Sequence, residues 1–101
     1  MTREPCQRVE IVVDQPHLSV VIDAIRDASA DGWTVLREVS GSGGRGEQWA
    51  DDLSGSGSNV MIIVAAERTV VDRVLQAVAP ILREAGGICL VSDAVRLLPG
   101  P

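Results

Sequence analysis

The sequence predicts an α+β fold: a four-stranded antiparallel sheet in the order βαββαβ, with two helices on one face. Three observations carry this. Four runs rich in Val and Ile either alternate apolar with polar residues or are apolar throughout. Two longer stretches repeat apolar residues at three- and four-residue spacing, the stripe of a helix with one buried side. The segments come as strand, helix, strand, and then strand, helix, strand, so two such units stack into one sheet. At 101 residues, positions 1–101 read as one domain with a modest core.

The first strand is Arg8 to Val13, where Val9, Ile11 and Val13 share a face and Val12 adds apolar character to the other. Asp14-Gln15-Pro16 ends it, with Pro16 suited to a first helical turn because its missing N–H costs nothing there. A helix follows over about His17 to Ala30, its stripe made of Leu18, Val21, Ile22, Ile25 and Ala28. Asp31-Gly32 is the expected stop, glycine accepting the left-handed conformation. The second strand is Trp33 to Ser40, and the third Asn59 to Ala66, apolar on both faces as a central strand is.

Glu67-Arg68-Thr69 opens the second helix, whose stripe is Val71, Val74, Leu75, Val78, Leu82 and Ala85. Pro80 interrupts it, which predicts a kink or split near Ala77 to Ala79. Gly86-Gly87 closes the helix before a fourth strand, Ile88 to Val91. Ser92-Asp93-Ala94 reads as a turn and Val95 to Leu98 as a short extended tail. This is the ferredoxin-like arrangement. Its two helices cover one sheet face only, yet Val12, Met61 and Ile63 put apolar groups on the other. A second copy or a partner is expected there, because a bare apolar sheet is an association site.

Composition narrows the function. The chain has no Phe or Tyr, only two Trp, and a formal charge of −5. An acidic chain lacks the basic surface that nucleic acid requires. No apolar run reaches the length of a membrane span. Met1 to Pro5 lacks the pattern of a signal peptide, so a cytoplasmic protein is expected. Cys6 and Cys89 lie far apart with no CxxC, and one His cannot complete a metal shell, so no metal site is predicted. Cys6 reads as an exposed terminal thiol and Cys89 as a small buried residue.

The organising stretch is the long connection between the second and third strands, about 41–58. A loop of about 18 residues is uncommon in a compact domain unless it has a function or is disordered. Glycine N–H groups in the Gly41, Gly43, Gly44 and Gly46 run can make a concave anion site, with Arg45 as a fixed charge. The same composition also serves as a solvated linker. Trp49, among Glu47, Asp51 and Asp52, is a candidate anchor for a partner protein, or it folds back onto the body. Arg96 could reach a neighbour's ligand or make a surface ion pair, and Arg37 reads as a rim charge. His17 reads as an exposed residue at a helix terminus.

Particular residues carry a family resemblance. Gly32-Trp33-Thr34-Val35, then Glu38-Val39-Ser40-Gly41-Ser42-Gly43 and Arg45-Gly46, are similar to the G-M-T-V…E-V-x-G-x-G-R-x-x-G signature of PII signalling proteins. Gly87-Ile88-Cys89-Leu90-Val91 to Ala94-Val95-Arg96 resembles the family's closing G-K-I-F-V…A-V-R-I-R. The resemblance implies a trimer with adenine nucleotides in clefts between subunits and a long loop that changes with ligand and touches partner proteins. Carried over by position, Thr34 would contact the adenine end, and Gly41, Gly43 and Gly44 would admit phosphates beside Arg45. Val64 would lie against the base, with Gly86, Gly87 and Arg96 completing the cleft.

The sequence also departs from that family. Its T-G-x-x-G-D-G-K loop is reduced to Glu84-Ala85-Gly86-Gly87, so the phosphate-binding lysine is Gly87, and the second closing arginine is Leu98. Losing two cations weighs against tight triphosphate binding, since charge-assisted contacts are the strong ones. These losses resemble the divergent PII-like proteins linked to inorganic-carbon uptake, some encoded beside carboxysomes. That implies ADP or AMP rather than ATP, with bicarbonate as a further ligand. Two other classes share the fold. A structural or metal-tolerance trimer without nucleotide binding is the alternative, against which no His, Cys and Met cluster has ligand spacing. An acylphosphatase-like enzyme would need an arginine-bearing loop after the first strand and a positioned Asn, which Asp14 to His17 do not offer, and no catalytic arrangement is expected.

Overall fold

The computed structural model describes residues 1–43, 46–48 and 58–100. Its elements are β1 (Thr2–Asp14), a 3-10 turn (Gln15–His17), α1 (Leu18–Asp27), β2 (Thr34–Val39), β3 (Gly41–Gly43), β4 (Gly46–Gln48), β5 (Asn59–Ala66), α2 (Arg68–Ala85) and β6 (Ile88–Leu98). The main sheet has the order β2-β5-β1-β6, antiparallel throughout, with α1 and α2 on one face. This is the ferredoxin-like α+β fold that the element order predicts.

Alternation decides which side is core. Val9, Ile11 and Val13 of β1 and Val60, Ile62 and Val64 of β5 are buried beneath the helices. They meet Leu18, Val21 and Ile25 of α1 and Val71, Val74 and Val78 of α2. Among the described residues no ring is fully buried, and the core is built mainly of β-branched residues, each contributing about 1.5–3 kcal/mol when fully buried. Among the described residues no helix covers the opposite face. There, register aligns Leu36, Met61, Val12 and Ile88 in one row and Thr34, Ile63, Glu10 and Leu90 in the next. Leu36, Ile88 and Leu90 are exposed. The uncovered apolar face expected from Val12, Met61 and Ile63 is present, and Arg8 pairs with Glu10 within it at 3.0 Å.

Several boundaries differ from the sequence reading. β1 starts at Thr2, and β6 continues through Ser92-Asp93-Ala94 without a turn. Each strand supplies the other's backbone partners, from Thr2↔Leu98 to Val12↔Ile88, so residues 2–6 and 94–98 form a ribbon that outruns β5. Helix α2 passes unbroken through Pro80. Pro80 and Gln76, whose carbonyl loses its partner, are both exposed, so water can satisfy the freed oxygen.

Helix α1 ends at Asp27, earlier than Ala30, and Ser29 rather than Gly32 takes the left-handed turn, at φ 67°. Ala30 N–H donates to Ile25 and Ser29 N–H to Arg26, the paired hydrogen-bond pattern of a helix C-terminus. Cys6 is buried, not exposed, because the N-terminal segment is strand. Cys89 packs half-buried against the core, and burial raises its thiol pKa. His17 is half-buried and donates from Nδ1 to Asp14, and Arg37 donates to Gln15 at 3.3 Å.

Candidate functional site

The connection from β2 to β5 leaves one end of the sheet, where Val39, Asn59 and Asp14 lie side by side. A register shift between Leu36 and Val39, with Glu38 at φ 59°, redirects the chain as it leaves β2. Beyond it the connection is not wholly irregular. Gly41 pairs with Gln48, Ser42 with Glu47, and Gly43 with Gly46, making a short hairpin of β3 and β4. The connection rejoins the body just before β5, where Gln15 N–H donates to the Ser58 carbonyl at 3.0 Å. Gly44, Arg45, Trp49, Asp51 and Asp52 lie outside the described residues.

Gly86 and Gly87 reach the same end from α2, at φ 77° and 107°. A Cβ on Gly87 would stand 2.4 Å from the Val12 carbonyl oxygen, with Val13 and Leu82 also in the way. Gly87 therefore has a packing duty independent of any ligand. The connection of α2 to β6 needs two consecutive residues with positive φ, which glycine alone adopts cheaply.

The other candidates sit at the opposite end. A cavity of about 230 Å³ lies where β5 runs into α2, lined by Ser29, Asp31, Ala65, Ala66, Glu67, Val70 and Arg96. Arg96 stands on the ribbon and turns back to the body. Its Nη2 donates to Glu4 at 2.8 Å and its Nη1 to the Ala65 carbonyl at 3.4 Å, while its Nε is buried and has no partner among the described residues. The hydrogen bond to Glu4 raises its pKa further above an already high range, so the charge is permanent. The free N–H groups of the first turn of α2 also open toward this region, which favours an oxyanion, whereas Asp31 and Glu67 oppose one.

Thr34 starts β2 on the uncovered face, exposed and paired with Ile63. The Val64 side chain is 1% exposed, within the core, so only its backbone can meet a ligand. Thr34, Val64 and Arg96 thus belong to one end, and Gly41, Gly43, Gly86 and Gly87 to the other. Along β6 alone, Gly87 and Arg96 are separated by about 30 Å of extended chain. The structure does not bring the two sets together within one chain. Ser29, Asp31, Glu67 and Glu4 were not legible as site residues. No local signal marks them, because Glu4, Asp31 and Glu67 lie far from Arg96 along the chain and strand pairing alone brings Glu4 to it. Among the described residues no group of three or more His, Cys, Asp or Glu could hold a metal ion, and no helix is long and apolar enough to cross a membrane.

The four-stranded sheet with two helices on one face is the ferredoxin-like fold, which a family match narrows to PII-type signalling proteins. The chain belongs to the nitrogen regulatory protein P-II family, whose model it matches over residues 6–100. No curated protein matches it in sequence. Among solved structures it is similar to CPII, a nitrogen regulatory PII-like protein from Thiomonas intermedia K12, bound to ADP, AMP and bicarbonate. The TM-score is 0.88 at 23% identity, covering 97% of this chain and 93% of that one. CPII bound to ADP, AMP and acetate gives 0.81 at 24%, covering 98% and 95%. A candidate PII-like signalling protein from Thermus thermophilus gives 0.82 at 20%, covering 96% and 94%.

Proposed function

We propose that this chain is a non-catalytic PII-like regulator binding an adenine nucleotide in clefts between subunits of a homotrimer. ADP or AMP is preferred to ATP, and bicarbonate is a second small ligand. The observation that carries this is the placement of the candidate residues at opposite ends of one sheet. The glycines cannot meet Arg96 of their own chain, but they can meet Arg96 of another copy. The uncovered row of Leu36, Met61, Val12 and Ile88 supplies the apolar surface for such an assembly. The ligands held by CPII support the choice of nucleotide and bicarbonate. The missing lysine at Gly87 and arginine at Leu98 support fewer phosphates.

On this reading Thr34 and the Val64 backbone take the adenine side. Gly41, Gly43, Gly44, Arg45, Gly86 and Gly87 take the phosphate side, and Arg96 closes the cleft. The connection carrying Glu47, Trp49, Asp51 and Asp52 presents the ligand state to a target protein in the cytoplasm, in inorganic-carbon or nitrogen regulation, with a carboxysome as one setting. Calorimetric titration with AMP, ADP and ATP, each with and without bicarbonate, is the test. Saturable heat with AMP or ADP and weaker heat with ATP are expected. No heat from any nucleotide would move the chain to a structural trimer.

A further inference from the structure

We infer that Glu4 is a built-in competitor for Arg96, holding the arginine on its own chain until a ligand oxyanion displaces the carboxylate. This rests on the nucleotide reading for the identity of the ligand, but the contact itself does not. Glu4 and Arg96 are register partners across the β1–β6 ribbon, so the fold places them together whatever else is bound. Their contact is incomplete. Guanidinium offers five donors in a planar fork, and a carboxylate or phosphate satisfies it best through two parallel bonds. Glu4 takes only Nη2, at 2.8 Å. The Ala65 carbonyl takes Nη1 at a long 3.4 Å, and Nε, shut from solvent, donates to nothing among the described residues.

An orphaned buried donor is costly, so the docked arginine is poised to leave for a partner that fills the fork. The cavity beside it adds Asp31 and Glu67, which give an incoming anion no help while Arg96 remains neutralised by Glu4. Both partners of the pair are partly exposed, with side chains 39% and 42% accessible, so the clasp is weak enough to exchange. The ligand class is an oxyanion carried on a small molecule, such as the phosphate of a nucleoside monophosphate or diphosphate. The ribbon is then a charge latch. Closed, it folds Arg96 against β5; open, it delivers the guanidinium to a neighbouring copy.

Two measurements on the intact chain and its Glu4→Gln variant test this. The first is the rate at which phenylglyoxal labels Arg96, followed by peptide mass spectrometry. The second is calorimetric affinity for AMP, repeated in the Arg96→Ala background. Glu4→Gln should label faster at Arg96 and bind AMP about two- to fivefold tighter, the range for releasing an exposed ion pair. That gain should vanish when Arg96 is absent. An unchanged labelling rate overturns the latch whether or not nucleotide binds. Faster labelling with equal or weaker AMP affinity also overturns it, since Glu4 would then shield or position the arginine without competing with the ligand. Faster labelling in a chain that binds no nucleotide keeps the latch and removes the nucleotide reading instead.

Discussion

The two ends of the sheet use arginine and glycine in opposite ways. At the end where the long connection leaves, Gly86 and Gly87 are demanded by backbone geometry, and Gly87 has no room for a Cβ. At the other end Arg96 sits on a ribbon with a donor unfilled among the described residues and a half-exposed counterion. The first end would need glycine even if it bound nothing. The second has a charge arrangement that packing alone does not require. Fold and function are therefore separable by substitution at one end and entangled at the other.

Substitutions can break or sharpen that contrast. The largest effect is expected for Gly87→Ala, where a positive φ and a clash with Val12 combine. It should cost about 3 kcal/mol, lowering Tm by roughly 15 °C in a chain of this size, as thermal unfolding would show. A melting temperature within a few degrees of wild type would mean that the helix end yields. Arg96→Ala should leave Tm nearly unchanged and weaken AMP binding by about tenfold, the scale of a lost charged hydrogen bond. Equal affinity would remove Arg96 from the site.

A mixing experiment joins the two ends. Gly43→Val and Arg96→Ala chains, each poor at binding alone, should regain about a quarter of their sites after dissociation and random reassembly into trimers. No recovery would argue that each chain holds its own site. Smaller effects come from backbone strain, since each end carries one non-glycine residue at positive φ. Glu38→Gly and Ser29→Gly should each raise stability by up to about 1 kcal/mol in denaturant unfolding.

The smallest effect concerns Cys89. Burial raises its thiol pKa, so the folded chain stays protonated where the unfolded chain forms thiolate. Stability is therefore complete below the unfolded thiol range and declines as pH rises toward the folded value. Cys89→Ser should flatten that alkaline decline, read from unfolding curves at successive pH values.

Alternating Val and Ile in β1 and β5, and the three- and four-residue spacing in α1 and α2, were enough to place the core and the uncovered face. Those patterns are local, and burial follows them directly. Strand ends were not legible in the same way. Thr2 to Gln7 lies outside the strand expected from sequence and Ser92 to Ala94 reads as a turn, because their side chains are mostly polar or small, yet each segment completes the other's backbone hydrogen bonds. Pro80 misled for the same reason: its cost depends on whether water reaches the Gln76 carbonyl, a matter of position on the body.

The family motifs named Thr34, the glycines and Arg96, but not the distance between them. Sequence by itself determined the element order, the buried stripes and the acidic, ring-poor composition, because each depends on residue type and spacing along the chain. Only the tertiary structure decided that glycines and arginine stand at opposite ends of one sheet, and that Glu4 meets Arg96. Those facts arise from pairing between strands distant in sequence, Glu4 and Arg96 being 92 positions apart, and no local pattern encodes such a register.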